Sequence, residues 1–239
     1  MKLIQWESLP AELKTEEVRK YYDIIKKKKS SLFFKRAFDL IMSLAALVVF
    51  SPVYLILAIA IKIDSPGPVF YRQERVTQYG KIFRIHKFRT MVYNADKGSQ
   101  LTVNNDRRIT NIGKVIRRCR LDETAQLIDV LQGTMTFVGT RPETPKFVAA
   151  YTKEMMATLL LPAGITSRAS IYYKDEAALL EGAEDPERVY IEKILPEKMY
   201  DNLKGIEKFG FWGDIKVIFM TVFAICGKKY EREEVPVKK

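Results

Sequence analysis

The 239-residue sequence predicts a mainly helical α+β fold hung on a membrane-inserted helix, and three observations carry that prediction. Leu40–Ile61 is an uncharged run of 22 residues, long enough to enter or cross a bilayer. The net charge of +11 is concentrated on the two flanks of that run. Beyond it, a turn-bounded pair of strand-like segments precedes a series of helical periodicities. A hydrophobic content of 47% with 29% charged residues excludes a disordered chain.

The apolar run would reach roughly 33 Å as a straight helix. It lies too far from the N-terminus for a signal peptide. At its centre, Ser51-Pro52 removes a backbone donor and disfavours helical geometry just before it, which predicts a break into two arms of about ten residues each. Lys26–Lys29, Lys35 and Arg36 precede the run, and residues 62–120 hold 14 Lys/Arg against 4 Asp/Glu. Basic flanks mark the cytoplasmic side. A helix that enters and leaves by one face satisfies both flanks, whereas a proline-kinked span violates one; the kinked span and a buried soluble helix are the alternatives. The organisation is then 1–36, a basic N-terminal surface helix; 37–65, the re-entrant membrane helix; and 66–239, one cytoplasmic domain.

Within residues 1–36, positions 10–29 read as an amphipathic helix opened by Pro10 and closed by the lysine run, lying on the membrane surface or solvated. Ser65-Pro66-Gly67-Pro68 forces a turn. Val69–Val76 and Lys81–Met91 flank Thr77-Gln78-Tyr79-Gly80 as a β-hairpin. Residues 94–111 read as a loop. From Gly113 to Leu131 the apolar spacing predicts one helix closed by Gly133. The stretches 143–160, 175–181 and 186–208 also read as helices, with a turn at Leu161-Pro162-Ala163-Gly164, and Trp212–Ala224 is an apolar segment shorter than a span.

Charge and composition also limit the partners. The basic excess suits anionic lipid headgroups or a phosphate-bearing substrate. Nucleic acid is not expected, since no zinc-finger, helix-turn-helix or RNA-recognition signature accompanies the charge. Cys119 and Cys226 do not form a disulfide framework. The single His86 reads as a packing or surface residue rather than a metal ligand.

The most pointed cluster is Leu121-Asp122-Glu123-Thr124-Ala125-Gln126, with Arg117, Arg118 and Arg120 upstream and Gly139-Thr140-Arg141-Pro142 downstream. On a helix the two carboxylates would point about 100° apart, one toward a substrate and the other toward a metal or proton. Carboxylates beside arginines suit phosphoryl transfer: arginines fork onto phosphate oxygens, Mg²⁺ bridges carboxylate and diphosphate, and a carboxylate can attack phosphorus. The same residues also make ordinary surface ion pairs, so the cluster alone leaves both readings open.

Several ordered motifs add to this. K-R-A-F-D enters the Ser-Pro-broken apolar segment, followed by S-P-G-P-V-F-Y-R-Q-E-R-V, F-R-I-H-K-F-R-T-M, L-D-E-x-x-Q-L-x-x-V-L-x-G-x-M-x-x-V-G-x-R-P, P-A-G-I-T and W-G-D-I-K. Together, from about Lys35 to Phe223, they resemble the bacterial sugar transferase family, the monotopic phosphoglycosyl transferases. The resemblance implies transfer of a sugar-1-phosphate from a nucleotide diphospho-sugar, usually a UDP-sugar, to polyprenyl phosphate with release of UMP. It implies a re-entrant helix at Ser51-Pro52, a place on the cytoplasmic face of the bacterial inner membrane, and downstream glycosyltransferases that extend the product. By position, Asp122 is similar to the family's nucleophile and Glu123 to its partner carboxylate, the two together holding Mg²⁺. Lys87 and Arg141 match the phosphate-binding lysine and arginine; Asp214, Gln126 and Arg89 match supporting positions. The sequence departs from the pattern at Ala125, Thr134, Thr140 and Thr166–Ile171, so the sugar does not follow from the resemblance; specificity is expected within 164–208. No multi-helix region precedes the motifs, as expected of the minimal form. A catalytically inactive membrane scaffold is the rival reading.

Overall fold

The first helix, α1, covers Glu16–Lys26 in the computed structural model, which describes residues 1–93, 95, 107–174, 176–180 and 182–232. The Thr15 hydroxyl caps it by accepting from the Val18 amide at 3.4 Å. The helix is shorter than the predicted 10–29 because Pro10 opens a separate 3₁₀ turn, Ala11–Leu13, and the lysine run forms the joint to the next helix. Its apolar face does not lie on a membrane. Val18, Tyr21, Tyr22 and Ile25 are buried in one cluster with Leu160, Leu203 and Ile206. Amphipathic spacing demands an apolar partner for that face, and here the partner is the protein itself.

The second helix, α2, runs unbroken from Lys29 to Asp64. The sequence predicts a break into two arms at Ser51-Pro52; the helix passes through both residues without a gap, and the reason is local. Pro52 has no N–H to give the carbonyl of Val48, four residues back; the Ser51 hydroxyl donates to that carbonyl at 2.8 Å instead. In hydrocarbon an orphaned carbonyl would cost several kcal/mol, so the serine keeps the proline tolerable. The helix is long and apolar enough to cross a membrane, and only 11% of its most apolar window is buried. A core helix of a soluble protein would be mostly covered. Ile41, Val48, Val49 and Leu55 all face outward.

Both ends of α2 are gripped by polar contacts. Near the start, the guanidinium of Arg36 donates to the carbonyls of Val130 (2.7 Å) and Leu131 (3.0 Å). Buried Asp39 accepts from the Thr136 hydroxyl at 2.8 Å and the Phe137 amide at 3.2 Å. Near the end, the Tyr54 hydroxyl donates to the Thr124 carbonyl at 3.0 Å, and Asp64 accepts from the Ile112 amide at 2.9 Å.

The hairpin forms as predicted. Strands β1 (Phe70–Val76) and β2 (Ile82–Phe88) pair antiparallel, with Tyr71 opposite Lys87 and Val76 opposite Ile82. Their turn places Tyr79 and Gly80 at positive φ, +60° and +76°. His86 is buried, as a packing residue should be: its amide and its Nδ1 both contact the carboxylate of Asp129 at 2.8 Å. Of the predicted loop 94–111, residues 94 and 96–106 lie outside the described residues; Ile109 forms a bridge with Met91.

The helix predicted over 113–131 is two helices, α3 (Asn111–Arg118) and α4 (Leu127–Gln132), separated by a turn that carries Asp122 and Glu123. Arg120 sits in the left-handed region at φ +55°. Its amide donates to Arg117 and the Leu121 amide to Ile116, at 3.0 and 2.9 Å. That pair of bonds is the Schellman ending of a helix, normally built on glycine. The apolar contact that accompanies it is supplied by Leu121 and Ile116, members of one cluster. Helix α4 ends, as predicted, on a left-handed Gly133.

A short parallel pair follows that the sequence does not announce: β3 (Met135–Val138) beside β4 (Ala163–Thr166). It replaces the predicted turn at 161–164. The helix predicted over 143–160 is reduced to α5 (Pro145–Val148) and a 3₁₀ stretch, Met155–Leu160. Then come α6 (Arg168–Tyr172), α7 (Glu176–Leu179), α8 (Pro186–Val189), a π turn at Tyr190–Ile194, α9 (Leu195–Glu207) and α10 (Phe211–Ile225).

A left-handed non-glycine residue costs about 1 kcal/mol, and Arg120 recovers little of it from one exposed hydrogen bond to the Lys174 carbonyl at 3.3 Å. Arg120→Gly is therefore expected to stabilise the protein by about 0.5–1 kcal/mol, read as a raised Tm in detergent. A lowered Tm would show that the side chain supports the turn more than the backbone conformation burdens it.

Candidate active site

Three segments distant in sequence converge on Glu123. Strand β2 supplies Lys87 one residue before its end, the α3–α4 turn supplies Asp122 and Glu123, and the stretch after β3 supplies Arg141. The Phe88 amide donates to the Asp122 carbonyl at 2.9 Å, which fixes the turn against the hairpin. The Lys87 ammonium reaches Glu123 Oε1 at 3.1 Å. Arg141 adds a two-pronged contact: Nη1 donates to Oε2 at 3.0 Å and Nη2 to Oε1. A planar guanidinium on a carboxylate is the strongest pairing these side chains offer.

The two carboxylates are thereby made unlike. Burial works against the charge on Glu123, but Arg141 and then Lys87 more than offset it, and its carboxyl is held well below the usual glutamate range. Arg141 is correspondingly pushed up by Glu123. Asp122 moves the other way. Burial, then the neighbouring charge of Glu123, raise its pKa above the ordinary 3.8, with Lys87 and Arg117 opposing. Its side chain accepts no hydrogen bond from another described residue. Of the two, Glu123 is ionised and fully committed to cations, while Asp122 is basic and open.

Lys87, Asp122, Glu123 and Arg141, all singled out in the sequence, are thus brought together. Arg117 acts on Asp122 and donates from Nε to the Thr90 hydroxyl at 2.9 Å; Arg118 and Arg120 are exposed. Gln126 lies in the turn that follows, 1% exposed, and neither end of its amide has a partner among the described residues. Arg89 and Asp214 do not join this group. Arg89 donates to the carbonyls of Ser65 (2.6 Å) and Pro66 (2.8 Å), tying down the end of α2. Asp214 pairs with Lys35 at 2.5 Å, and Lys35 also reaches the Val138 carbonyl, tying down its beginning. Both support the helix rather than the carboxylate pair.

Sequence reasoning missed Arg75. It donates to the Pro142 carbonyl at 2.9 Å and lies 3.9 Å from Glu143, so it braces the segment that carries Arg141. Arg75 sits inside the motif F-Y-R-Q-E-R-V, but nothing in a run of basic residues marks one of them as a brace. The same segment is held by a close approach of two glycines. Gly139 donates to the Thr166 carbonyl, Gly164 to the Thr140 carbonyl, and a Cβ on Gly164 would lie 2.2 Å from the Gly139 backbone.

A metal would find few ligands here. Among the described residues no three His, Cys, Asp or Glu side chains cluster as a metal cage. Mg²⁺ is commonly held by one or two carboxylates together with substrate phosphate oxygens. The carboxylate of Asp122 fits that role, whereas Glu123 has both oxygens occupied by Arg141 and Lys87.

A family model described as bacterial sugar transferase matches residues 30–228. The UDP-N-acetylgalactosamine-undecaprenyl-phosphate N-acetylgalactosaminephosphotransferase of Aeromonas hydrophila is 35% identical over 197 residues, covering 81% of this chain and 44% of the relative. The UDP-glucose:undecaprenyl-phosphate glucose-1-phosphate transferase of Escherichia coli K12 is 36% identical over 194 residues, 79% of this chain and 39% of the relative. The undecaprenyl-phosphate galactose phosphotransferase of Salmonella typhimurium is 30% identical over 210 residues, 81% of this chain and 40% of the relative. The chain spans about two fifths of the length of these relatives, and the sugars in their names differ. The match over residues 30–228 shows that the chain belongs to the bacterial sugar transferase family.

Proposed function

We propose that the protein transfers a sugar-1-phosphate from a UDP-sugar to polyprenyl phosphate through a covalent intermediate on Asp122. The observation that carries this reading is the asymmetry of the pair: Glu123 is clamped by Arg141 and Lys87, and Asp122 is left the more basic, with no side-chain partner among the described residues. An Asp122 oxygen attacks the phosphorus that bears the sugar. The bond to the other phosphate breaks, and UMP leaves with the electron pair. An oxygen of polyprenyl phosphate then attacks the same phosphorus, the bond to Asp122 breaks, and the carboxylate is regenerated beside a polyprenyl diphospho-sugar. Lys87 and Arg141 offset the crowding of anions that both steps require, and substrate phosphates compete with Glu123 for them. Mg²⁺, held by Asp122 with the diphosphate oxygens, would supply further neutralisation of charge. The product begins a glycoconjugate that downstream glycosyltransferases extend.

Its place is the cytoplasmic face of the bacterial inner membrane, with α2 entering and leaving the bilayer by that face. The hydrogen bonds of α2 support this topology. Arg36 and Tyr54 would be about 27 Å apart on a straight helix. The carbonyls they bond, Val130 and Thr124, lie within about 10 Å of helical backbone. A bend at Ser51-Pro52 closes that difference without both side chains splaying outward at full stretch. The organisation is then residues 1–36, with α1 packed on the protein, the inserted segment 37–65, and the catalytic unit 66–239.

Three outcomes test this reading. Incubated with UDP-sugar and Mg²⁺ but no lipid acceptor, the wild type should gain the mass of a phospho-sugar, mapped to Asp122. Asp122→Asn should gain none and lose turnover by orders of magnitude, while Glu123→Gln should still form the adduct; an adduct on Glu123 would overturn the assignment. The second outcome is a pH profile. Asp122 must be ionised to attack, and its raised pKa places the acid limb of kcat/KM above that of an ordinary aspartate near 3.8. Glu123→Gln removes a repelling charge and should move the limb to lower pH; an upward movement would contradict the electrostatics. In the third, cysteines placed before residue 36 and after residue 66 should be labelled from the same side of the membrane, and labelling from opposite sides would rule out re-entry.

A further inference from the structure

Glu176 opens α7 on the segment between β4 and α9, and its carboxylate has no part in the reaction proposed above. Its Oε2 accepts from the Lys198 ammonium at 2.8 Å, and its Oε1 has no partner among the described residues. The side chain is 27% exposed, while the groups behind it are closed off, Lys198 and Glu143 at 6% each. Lys198 also reaches the Tyr190 hydroxyl at 2.8 Å and Glu143 Oε1 at 3.4 Å, and the Tyr190 hydroxyl donates to Glu143 at 2.6 Å. Lys198 thus has an acceptor for each of its three protons and holds Glu176 in one position.

This cluster stands directly behind Arg141. Glu143 follows Arg141 by two residues, and Arg75 bridges the carbonyl between them to the Glu143 carboxylate. The charges of Glu143 and Glu176 both act on the Arg141 guanidinium, after the larger effect of Glu123. By contacts, the segment carrying Arg141 is linked through Glu143 to Lys198 and through Lys198 to the partly exposed Glu176.

We propose that Glu176 determines donor specificity by accepting hydrogen bonds from hydroxyl groups of the sugar nucleotide, an inference that rests on the reaction proposed above. A phosphate gripped by Arg141 has a hydroxyl-bearing ring as its next substituent, either the sugar or the ribose. A carboxylate only accepts, so it selects hydroxyl donors and offers no hydrogen bond to a phosphate oxygen. Lys198 neutralises its charge and keeps it from opposing the incoming diphosphate. A rigid acceptor distinguishes axial from equatorial hydroxyls, because the wrong epimer leaves it without a partner.

The test measures UMP release by the full chain in detergent with polyprenyl phosphate. The donors are UDP-glucose, UDP-galactose, their N-acetylamino counterparts and the 2′-deoxyuridine analogue of the preferred one. Glu176→Ala is expected to lower kcat/KM for the preferred donor about 10- to 100-fold and to flatten its preference over the others. Glu176→Gln keeps the shape and replaces a charge-assisted bond by a weaker neutral one, so it should move the preference part of the way; it also decides the matter should the alanine variant fail to fold. A flattened epimer ratio assigns the contact to the sugar, and a flattened ribose-to-deoxyribose ratio assigns it to the ribose. An equal fall for every donor would reduce Glu176 to a prop for Arg141 and overturn the proposal, as would an unchanged preference. A wild type that releases UMP from none of the donors overturns the reaction itself and this subsite with it.

Discussion

The pairing of Glu123 with Arg141 and Lys87 is the interaction on which the rest of the site depends. Removing charges from water costs several kcal/mol per ion, and only good geometry with more than one hydrogen bond recovers that cost. The geometry exists here because a strand end, an inter-helix turn and the stretch after β3 meet at one carboxylate. The meeting has a chemical result. With its cations drawn to Glu123, Asp122 is left as the more basic member of the pair, raised by burial and by its neighbour's charge. One residue holds the site together, and the residue beside it keeps the more basic carboxylate.

The apolar helix is tied to the same centre. The hydroxyl of Tyr54 bonds the carbonyl of Thr124, one residue from Glu123, and Arg36 closes the carbonyl end of α4. Arg89 and the Lys35–Asp214 pair secure the two ends of α2 to the water-facing part of the protein. A helix whose exposed surface is nearly all apolar thus shares hydrogen bonds with the turn that carries the carboxylates. Placement of the apolar helix and placement of the carboxylate pair are one mechanical problem in this fold.

Much of this was legible in the sequence because it rests on local chemistry. The hairpin follows from its turn residues, the end of α4 from Gly133, and the membrane character of α2 from an uncharged run too long for a core helix. The split between α3 and α4 was not legible, because an arginine takes the left-handed position where glycine would have signalled the turn. The parallel pair β3–β4 was missed because four residues are too few for an alternation to register. The direction of α1 was open for a different reason: an apolar face is the same pattern whether lipid or protein covers it. For the site, residue type brought out the carboxylate pair with its neighbouring arginines, and the family resemblance added Lys87 and the role of Arg141. They could not show that Arg89 and Asp214 serve the helix, or that Arg75 braces Pro142, since those roles lie in contacts between distant segments.

The back-to-back glycines at 139 and 164 bear on how such a protein can diverge. Between β4 and α9, Ala169, Ile171 and Tyr190 are buried, but exposed positions such as Leu179 and Glu184 can take another side chain at little cost. At Gly139 and Gly164 no such latitude exists: a Cβ on Gly164 would overlap the Gly139 backbone at 2.2 Å and wedge apart the segment that delivers Arg141. Mutational drift therefore meets a soft region and a hard one within thirty residues of each other. Descendants of this chain can vary those exposed positions while the glycine pair stays fixed.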